Sequence, residues 1–592
     1  MKTLLLVLSL AAASTAAVTL VSRSAGLAVP NKEAGNTELE FGDVNGDGFL
    51  DLVSVGDHGS PYVGTDQHGI MVWFGDGAGN WSVVQTGEFG YGGCAIGDIN
   101  GDGFTDVAWG VHHNYAAPPF GDRLMGAALG DGTGAAWTPW DTGLATNGED
   151  WGMFATDLAD FDLDGDLDII CESFGAGNGV RVYENLGDGT WTQAWLIDGG
   201  NASAMLETGD FNADGCMDFL CTRWGTQVYF GDGAFGFTLN QAGIPENDMV
   251  GVDIGDFDAD GRDDVLCSFV SDSGVRCYSY DSGSSEWVDH SVGLPTGSIY
   301  VDLVQFGHFD GDAHMDLVIY DDPAGTVYLG NGAGTWTADA SWTMPSPGDA
   351  TALRVDGDVD HDGREDIAVE AVMQSGWYEI NQLRVYSPWS VPSALAARLL
   401  SPDGGETMYA GSVREIRWLT AVPVSKGQAA VDISLSTSGA SGPWSPIASG
   451  IPDNGSFQWP VPPVNSTTCR LKLVARTASD TVEVISSGDF SILYQTGIEE
   501  EASAPAGIPC LLLAPNPAYA SPALRLSGVD GAAFEISVYD VAGRRVLSRG
   551  IAAESPRELV LGSEDGGVLP PGLYVVTVSS GDVRVSARWV QL

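Results

Sequence analysis

A chain of 592 residues is too long for one ordinary domain and is expected to divide into three or four. Its 25 Lys and Arg stand against 80 Asp and Glu, a net charge of −55; nothing basic is clustered enough to release counterions from a phosphate backbone, so nucleic acid is excluded as a partner. A hydrophobic content of 44% allows sizeable cores, and 80 Gly without a triplet period favour many short strands joined by turns.

The N-terminus opens Met1-Lys2, continues apolar from Leu4 to Ala13, and ends in Ser14-Thr15-Ala16-Ala17. A short positive start, an apolar stretch too short to span a bilayer and small residues after it predict a signal peptide over 1–17, cut near Ala17. No later stretch carries 18 apolar residues in a row, so no transmembrane segment is expected and the chain is read as exported.

The segment 18–390 repeats. Acidic loops begin at Asp43, Asp98, Asp160, Asp210, Asp256, His308 and Asp358, in steps of 46 to 62 residues, the period of a four-stranded propeller blade. The first reads Asp43-Val-Asn45-Gly-Asp47-Gly48-Phe49-Leu-Asp51. Oxygen-bearing side chains at positions 1, 3, 5 and 9, a turn glycine at 6 and a carbonyl at 7 suit a hard cation that takes six to eight oxygens. An apolar strand follows each loop, such as Leu52–Val55 or Val265–Cys267, and a third carries an aromatic, such as Val72-Trp73-Phe74. A Gly-Asp-Gly or Gly-Asn-Gly turn comes next, and a fourth strand opens with Trp81, Trp137, Trp191, Phe237, Trp287 or Trp336, read as core because it recurs at one register. The seventh unit has no fourth strand after Val385-Tyr386. Val18-Thr19-Leu20, with Gly26-Leu27 behind it, resembles Phe237-Thr-Leu239 with Gly243-Ile244, so the start of the mature chain is expected to close the ring.

These units resemble FG-GAP (VCBS-type) repeats, the calcium-loop propeller repeats of integrin α heads. The resemblance implies Ca²⁺ in each first hairpin, up to six or seven ions, and a ligand surface on the opposite face. The metal residues are Asp43, Asn45, Asp47, Phe49 and Asp51 in the first loop and Asp98, Asn100, Asp102, Phe104 and Asp106 in the second. The third has Asp160, Asp162, Asp164, Asp166 and Asp168, and the fourth Asp210, Asn212, Asp214, Cys216 and Asp218. The fifth has Asp256, Asp258, Asp260, Arg262 and Asp264, the sixth Asp310, Asp312 and Asp316, and the seventh Asp358, Asp360, Asp362, Arg364 and Asp366. The sixth begins with His308 and lacks the turn glycine, so weak or no metal is expected there. The ions are read as structural, holding hairpins whose clustered carboxylates would otherwise repel.

Two second-to-third loops are long and polar. His58, Tyr62, Asp66 and His68 lie in the first blade and His112, His113 and Tyr115 in the second, with Asp150 and Trp151 in the next link. They are the candidate ligand residues; the alternative is that long loops simply gather polar residues. No nucleophile elbow, zinc-protease motif or phosphate loop occurs, and no catalytic residue is assigned.

Cys171, Cys221 and Cys267 recur at one register and read as small buried apolar residues, while Cys267 and Cys277 are also candidates for a disulfide across a hairpin. After a linker at 387–393, alternating strands predict a β-sandwich over 391–495 that resembles the Ig-like domains of bacterial secreted proteins and is read as a spacer. A linker at 496–510 leads to 511–592. Pro515-Asn516-Pro517, Tyr539-Asp540, Gly543-Arg544 and Gly572-Leu-Tyr574 there resemble a type IX secretion C-terminal sorting domain.

The expected fold is thus all-β, a seven-bladed β-propeller followed by two β-sandwich domains. The leading functional expectation is a secreted or cell-surface bacterial protein, monomeric, that binds an extracellular protein or glycan and meets the secretion machinery through its C-terminus. The alternative is a lyase-like propeller enzyme acting on extracellular polysaccharide.

Overall fold

A computed structural model describes residues 17–27, 31–32, 37–55, 70–85, 88–89, 92–111, 125–145, 153–173, 179–198, 202–223, 226–245, 249–269, 274–297, 301, 303–346, 348–375, 378–494, 510–514, 523–527, 534–540, 544–551, 558–560, 572–580 and 583–591. These residues form one unit made of the N-terminal repeats with most of the first sandwich, and a second built chiefly from Ile492–Leu592.

Alternating apolar residues between glycine turns fold the repeats into seven four-stranded antiparallel sheets. The first blade runs Glu40–Gly42, Asp51–Val55, Ile70–Gly75 and Trp81–Gln85. The second strand of each blade is buried on both faces, as in Asp51–Val55 and Asp264–Phe269, because a neighbouring blade packs on each side. First strands of successive blades touch all the way round, the seventh against the first, so the sheets form a closed propeller.

The closing strand is Leu20–Ser22, paired antiparallel with Tyr378–Pro388. The expected N-terminal closure is therefore present, two residues later than the Val18–Leu20 alignment. The glycine sets that register: Leu20 precedes Gly26 by the six residues that separate Phe237 from Gly243. Both glycines have positive φ, and a Cβ on either would lie 2.3 Å from the carbonyl oxygen of the next blade's tryptophan, Trp81 or Trp287. The backbone N–H of Trp81 donates to Ala25 at 2.8 Å and its indole Nε1 to the Arg23 carbonyl at 2.6 Å. Trp191, Trp287 and Trp336 repeat both bonds at other seams, so the closure uses the same joint as the interior. These tryptophans and Trp137 are buried, as expected of core residues.

Cys171, Cys221 and Cys267 are fully buried, and Cys267 and Cys277 are unbonded. Cys267 stands opposite Arg276 and Cys277 opposite Leu266, so their side chains leave opposite faces of the sheet and join different cores. That geometry removes the disulfide. Among the described residues seven free thiols are buried, so a thiol reagent is expected to leave these unlabelled in the native protein and to label them in denaturant. Rapid native labelling of Cys267 and Cys277 would refute this packing.

The first sandwich has a three-stranded sheet, Ala396–Ser401, Val413–Ala421 and Ser456–Pro460, facing a six-stranded sheet centred on Ala430–Ser436 and Ser466–Arg476. Trp418 and Trp459 fill its core, and the buried Asp453 accepts from Trp418 Nε1 at 2.8 Å and from the Thr420 hydroxyl at 2.6 Å. The C-terminal unit has a three-stranded sheet and a four-stranded one, the latter built from Phe534–Asp540, Arg545–Ile551, Gly572–Ser580 and Val583–Gln591. Pro515-Asn516-Pro517 and Gly543 lie outside the described residues. Among the described residues no helix is long and apolar enough to cross a membrane.

Candidate metal loops and the surface that covers them

Each acidic loop joins the first and second strands of its blade. In the first, Asp43 Oδ1 and Oδ2 accept from the N–H groups of Asp47 and Gly48 at 3.0 and 2.9 Å, and Asn45 Oδ1 accepts from Asp47 N at 2.9 Å. Asp47 Oδ1 accepts from Phe49 N at 2.9 Å. Gly48 (φ +86°) makes the turn these bonds require. The second and fourth loops repeat the pattern around Asp98 and Asp210.

The closing aspartate is buried in all seven loops. Asp51 Oδ2 accepts from Val44 N at 3.2 Å and Oδ1 from Gly75 N at 3.0 Å, tying the loop to the end of the third strand. Asp106, Asp168, Asp218 and Asp316 do the same. In the fifth and seventh loops the loop-side bond is kept, but Oδ1 of Asp264 and of Asp366 is buried without a hydrogen-bond partner.

Three loops bring carboxylate oxygens within 4.8 Å of one another: Asp160, Asp162 and Asp168; Asp256, Asp258 and Asp260; and Asp358, Asp360 and Asp366. The first, second and fourth loops have Asn45, Asn100 and Asn212 at the third position, a neutral oxygen donor in place of a carboxylate. Burial first, and repulsion between neighbouring carboxylates, push these acids up: Asp162 to about 8, Asp210 to about 7, Asp256 to about 8 and Asp218 to about 9. Buried, mutually repelling oxygens, some without partners, are what a divalent cation satisfies, so the residues present fit one. Phe49, Phe104, Asp166, Cys216, Arg262 and Arg364 occupy the seventh position, which offers a carbonyl.

The sixth loop is built differently. His308 Nδ1 and backbone N both donate to Glu365 Oε2, at 3.0 and 2.8 Å. Arg364 donates to the Asp310 carbonyl at 3.0 Å, and Arg398 of the sandwich to the Asp312 carbonyl. Guanidinium groups thus stand beside Asp310, Asp312 and Asp316.

The sandwich does not act as a spacer; it packs across the loop ends of the propeller. Gln428 donates to Asp47 O at 3.1 Å, Gln458 bonds both Asp98 N and Asp98 O at 2.9 and 2.8 Å, and Val413 N donates to Asp160 Oδ2 at 2.8 Å. Arg414 donates to Gly215 O, and Val422 N to His361 O at 2.8 Å. Gly405 packs so closely on the fifth loop that a Cβ on Gly261 would lie 2.4 Å from its carbonyl carbon. With Arg398 at the sixth, every loop meets the sandwich. Sequence reasoning missed Arg398, Arg414, Gln428 and Gln458, because nothing local marks a residue whose partner lies 86 to 381 positions away.

Under this roof lies a cavity of about 1140 Å³, lined by first-strand residues and by Arg414, Glu415 and Arg417. Arg354 pairs there with Glu40 at 2.9 Å and Asp356 at 2.7 Å. Burial, opposed by Arg354, pushes Glu40 up to about 8.

The ligand residues expected from sequence, His58, Tyr62, Asp66, His68, His112, His113, Tyr115, Asp150 and Trp151, lie outside the described residues.

Fold and loops together define a β-propeller of acidic-loop repeats. Comparison gives those repeats a name: residues 43–109, 160–221, 210–267, 256–319 and 308–369 match the FG-GAP-like repeat. No curated protein sequence matches the chain. Among solved structures, a protein from Lactobacillus plantarum is similar at 12% identity over 55% of this chain and 94% of its own, with a TM-score of 0.34. PorZ of Porphyromonas gingivalis, a surface component of the type IX secretion system, is similar at 11% identity over 93% of this chain and 75% of its own, with a TM-score of 0.23. Superpositions of that quality fix neither a shared topology nor a function.

Proposed function

We propose that this chain is an exported, calcium-stabilised propeller that binds an extracellular protein or glycan on the face away from its acidic loops. The observation that carries the reading is the contact of the sandwich with all seven loops, which uses that face as an internal joint. What remains for a partner is the other face; the sequence puts His58, Tyr62, His112 and Tyr115 in the long connections between second and third strands, which are expected to serve it.

Six calcium ions are assigned, to every loop but the sixth, where arginines already balance the charge. Calcium fits because the donors are carboxylate, amide and carbonyl oxygens. The ions hold hairpins and perform no chemistry. The signal-like N-terminus and the sorting-like C-terminus support export to the bacterial surface or medium.

The test is a glycan and protein binding screen with the full chain in calcium. A ligand should emerge whose uptake falls at least tenfold in the triple variant His58→Ala, His112→Ala and His113→Ala, with melting unchanged. Binding that the variant leaves intact would move the site elsewhere. Turnover of a polysaccharide, lost in the same variant, would replace the reading with the lyase-like one.

A further inference from the structure

The seventh loop differs from the others in what holds its carboxylates. Asp360 Oδ2 accepts from Arg23 Nε at 2.6 Å, and Arg23 directly follows the strand that closes the ring. The Arg23 guanidinium also lies over the Trp389 ring, 4.2 Å from its centroid. Asp362 Oδ2 accepts from the N–H of Ser390, in the linker, and Arg364 donates to the Pro388 carbonyl at 2.9 Å. The loop backbone bonds the sandwich through His361 and Val422 at 2.8 Å and bridges Asp362 to Ala421. Three chain segments therefore converge on this loop of the seventh blade: the closing strand, the linker and the sandwich.

Each segment takes the outer oxygen of a carboxylate or a backbone group. The other oxygens, Oδ1 of Asp360, Asp362 and Asp366, are buried and make no well-formed hydrogen bond, in residues 7%, 4% and 0% exposed, although the Ser387 hydroxyl stands beside the Asp360 carboxyl. Donors from Asp358, Asp360 and Asp366 lie within 4.8 Å of one another. Unsatisfied buried carboxylate oxygens facing each other destabilise the site unless a cation joins them. A group that holds the outer oxygen orients the inner one on the ion.

We infer that a calcium ion in the seventh loop is the latch of the molecule, coupling ring closure by the N-terminal strand to docking of the sandwich, with Arg23 as the positioning residue for Asp360. This rests on the calcium reading above, and the experiment separates the two.

Hydrogen exchange of the full chain is followed at residues 18–27 and 388–390, with calcium and after chelation, alongside metal analysis of bound calcium. Chelation is expected to speed exchange in both segments at least tenfold. Arg23→Gln should weaken one ion about tenfold, the usual effect of losing an outer partner. Asp102→Asn, in the second loop, should weaken a different ion and leave residues 18–27 protected. If metal analysis shows ions lost while exchange at 18–27 is unchanged, the latch is overturned and the calcium reading stands. If no calcium binds, both fall. If Arg23→Gln leaves all affinities intact while chelation still frees the strand, Arg23 loses the positioning role.

Discussion

Chelating calcium at pH 8 is expected to lower the melting temperature by about 10–20 °C, the largest single effect available in this molecule. An ion at a hundredfold excess over its dissociation constant adds about 2.7 kcal/mol, and several sites add up. In the metal-free protein Asp51, Asp162, Asp256 and Asp316 are each raised to about 8, by burial first, so between pH 4 and 8 the folded state holds more protons than the unfolded one. Stability without metal therefore falls as pH rises through that window. On the calcium reading the ionised carboxylates would be the ligands, and stability with calcium should rise with pH over the same range. The two melting curves should converge toward pH 5 and diverge toward pH 8. Melting that ignores both chelator and calcium at pH 8 would remove the ions from the structure.

The second large effect belongs to Glu365, a buried residue that joins the sixth loop to the sandwich. It accepts from His308 N and Nδ1 and, through Oε1, from Arg417 at 2.9 Å. Burial pushes its carboxyl up, but the hydrogen bond and charge of His308 and then the charges of Arg417 and Arg398 outweigh that and hold it down at about 2. His308 is itself pushed down, by burial first and by Arg398, with Glu365 opposing the shift. Glu365→Ala leaves the two buried His308 donors without an acceptor and takes one of two carboxylate partners from the half-buried Arg417, and should cost about 2–3 kcal/mol in urea unfolding. A depressed carboxyl stabilises above its unfolded value and loses that contribution as pH falls through about 2. Wild type should thus resist acid near pH 3 better than Glu365→Gln does. A loss under 1 kcal/mol for the alanine variant would mean the seam is not held there.

Much of the fold was legible because the repeats carry their own punctuation. Aspartates at alternate positions with a glycine at the sixth can accept from the backbone N–H groups between them only in a tight loop, and a tryptophan after a glycine turn marks the fourth strand. Even ring closure could be read, since Leu20 and Gly26 copy Phe237 and Gly243. Its register was misjudged by two residues because the strand was aligned on Val18 and Thr19, whereas the constraint is Gly26 under the Trp81 carbonyl.

By itself the sequence determined the period, the blade count, the acidic loops and the departure of the sixth from their pattern, since each depends on residues close together in the chain. Only the tertiary structure decided that Cys267 and Cys277 leave opposite faces of a sheet, that the sandwich roofs the loops, and that Arg23 reaches Asp360. Those pairings join residues far apart in sequence or on opposite sides of a strand. Their partners are chosen by the way blades close and domains dock, which no local pattern of charge or hydropathy encodes.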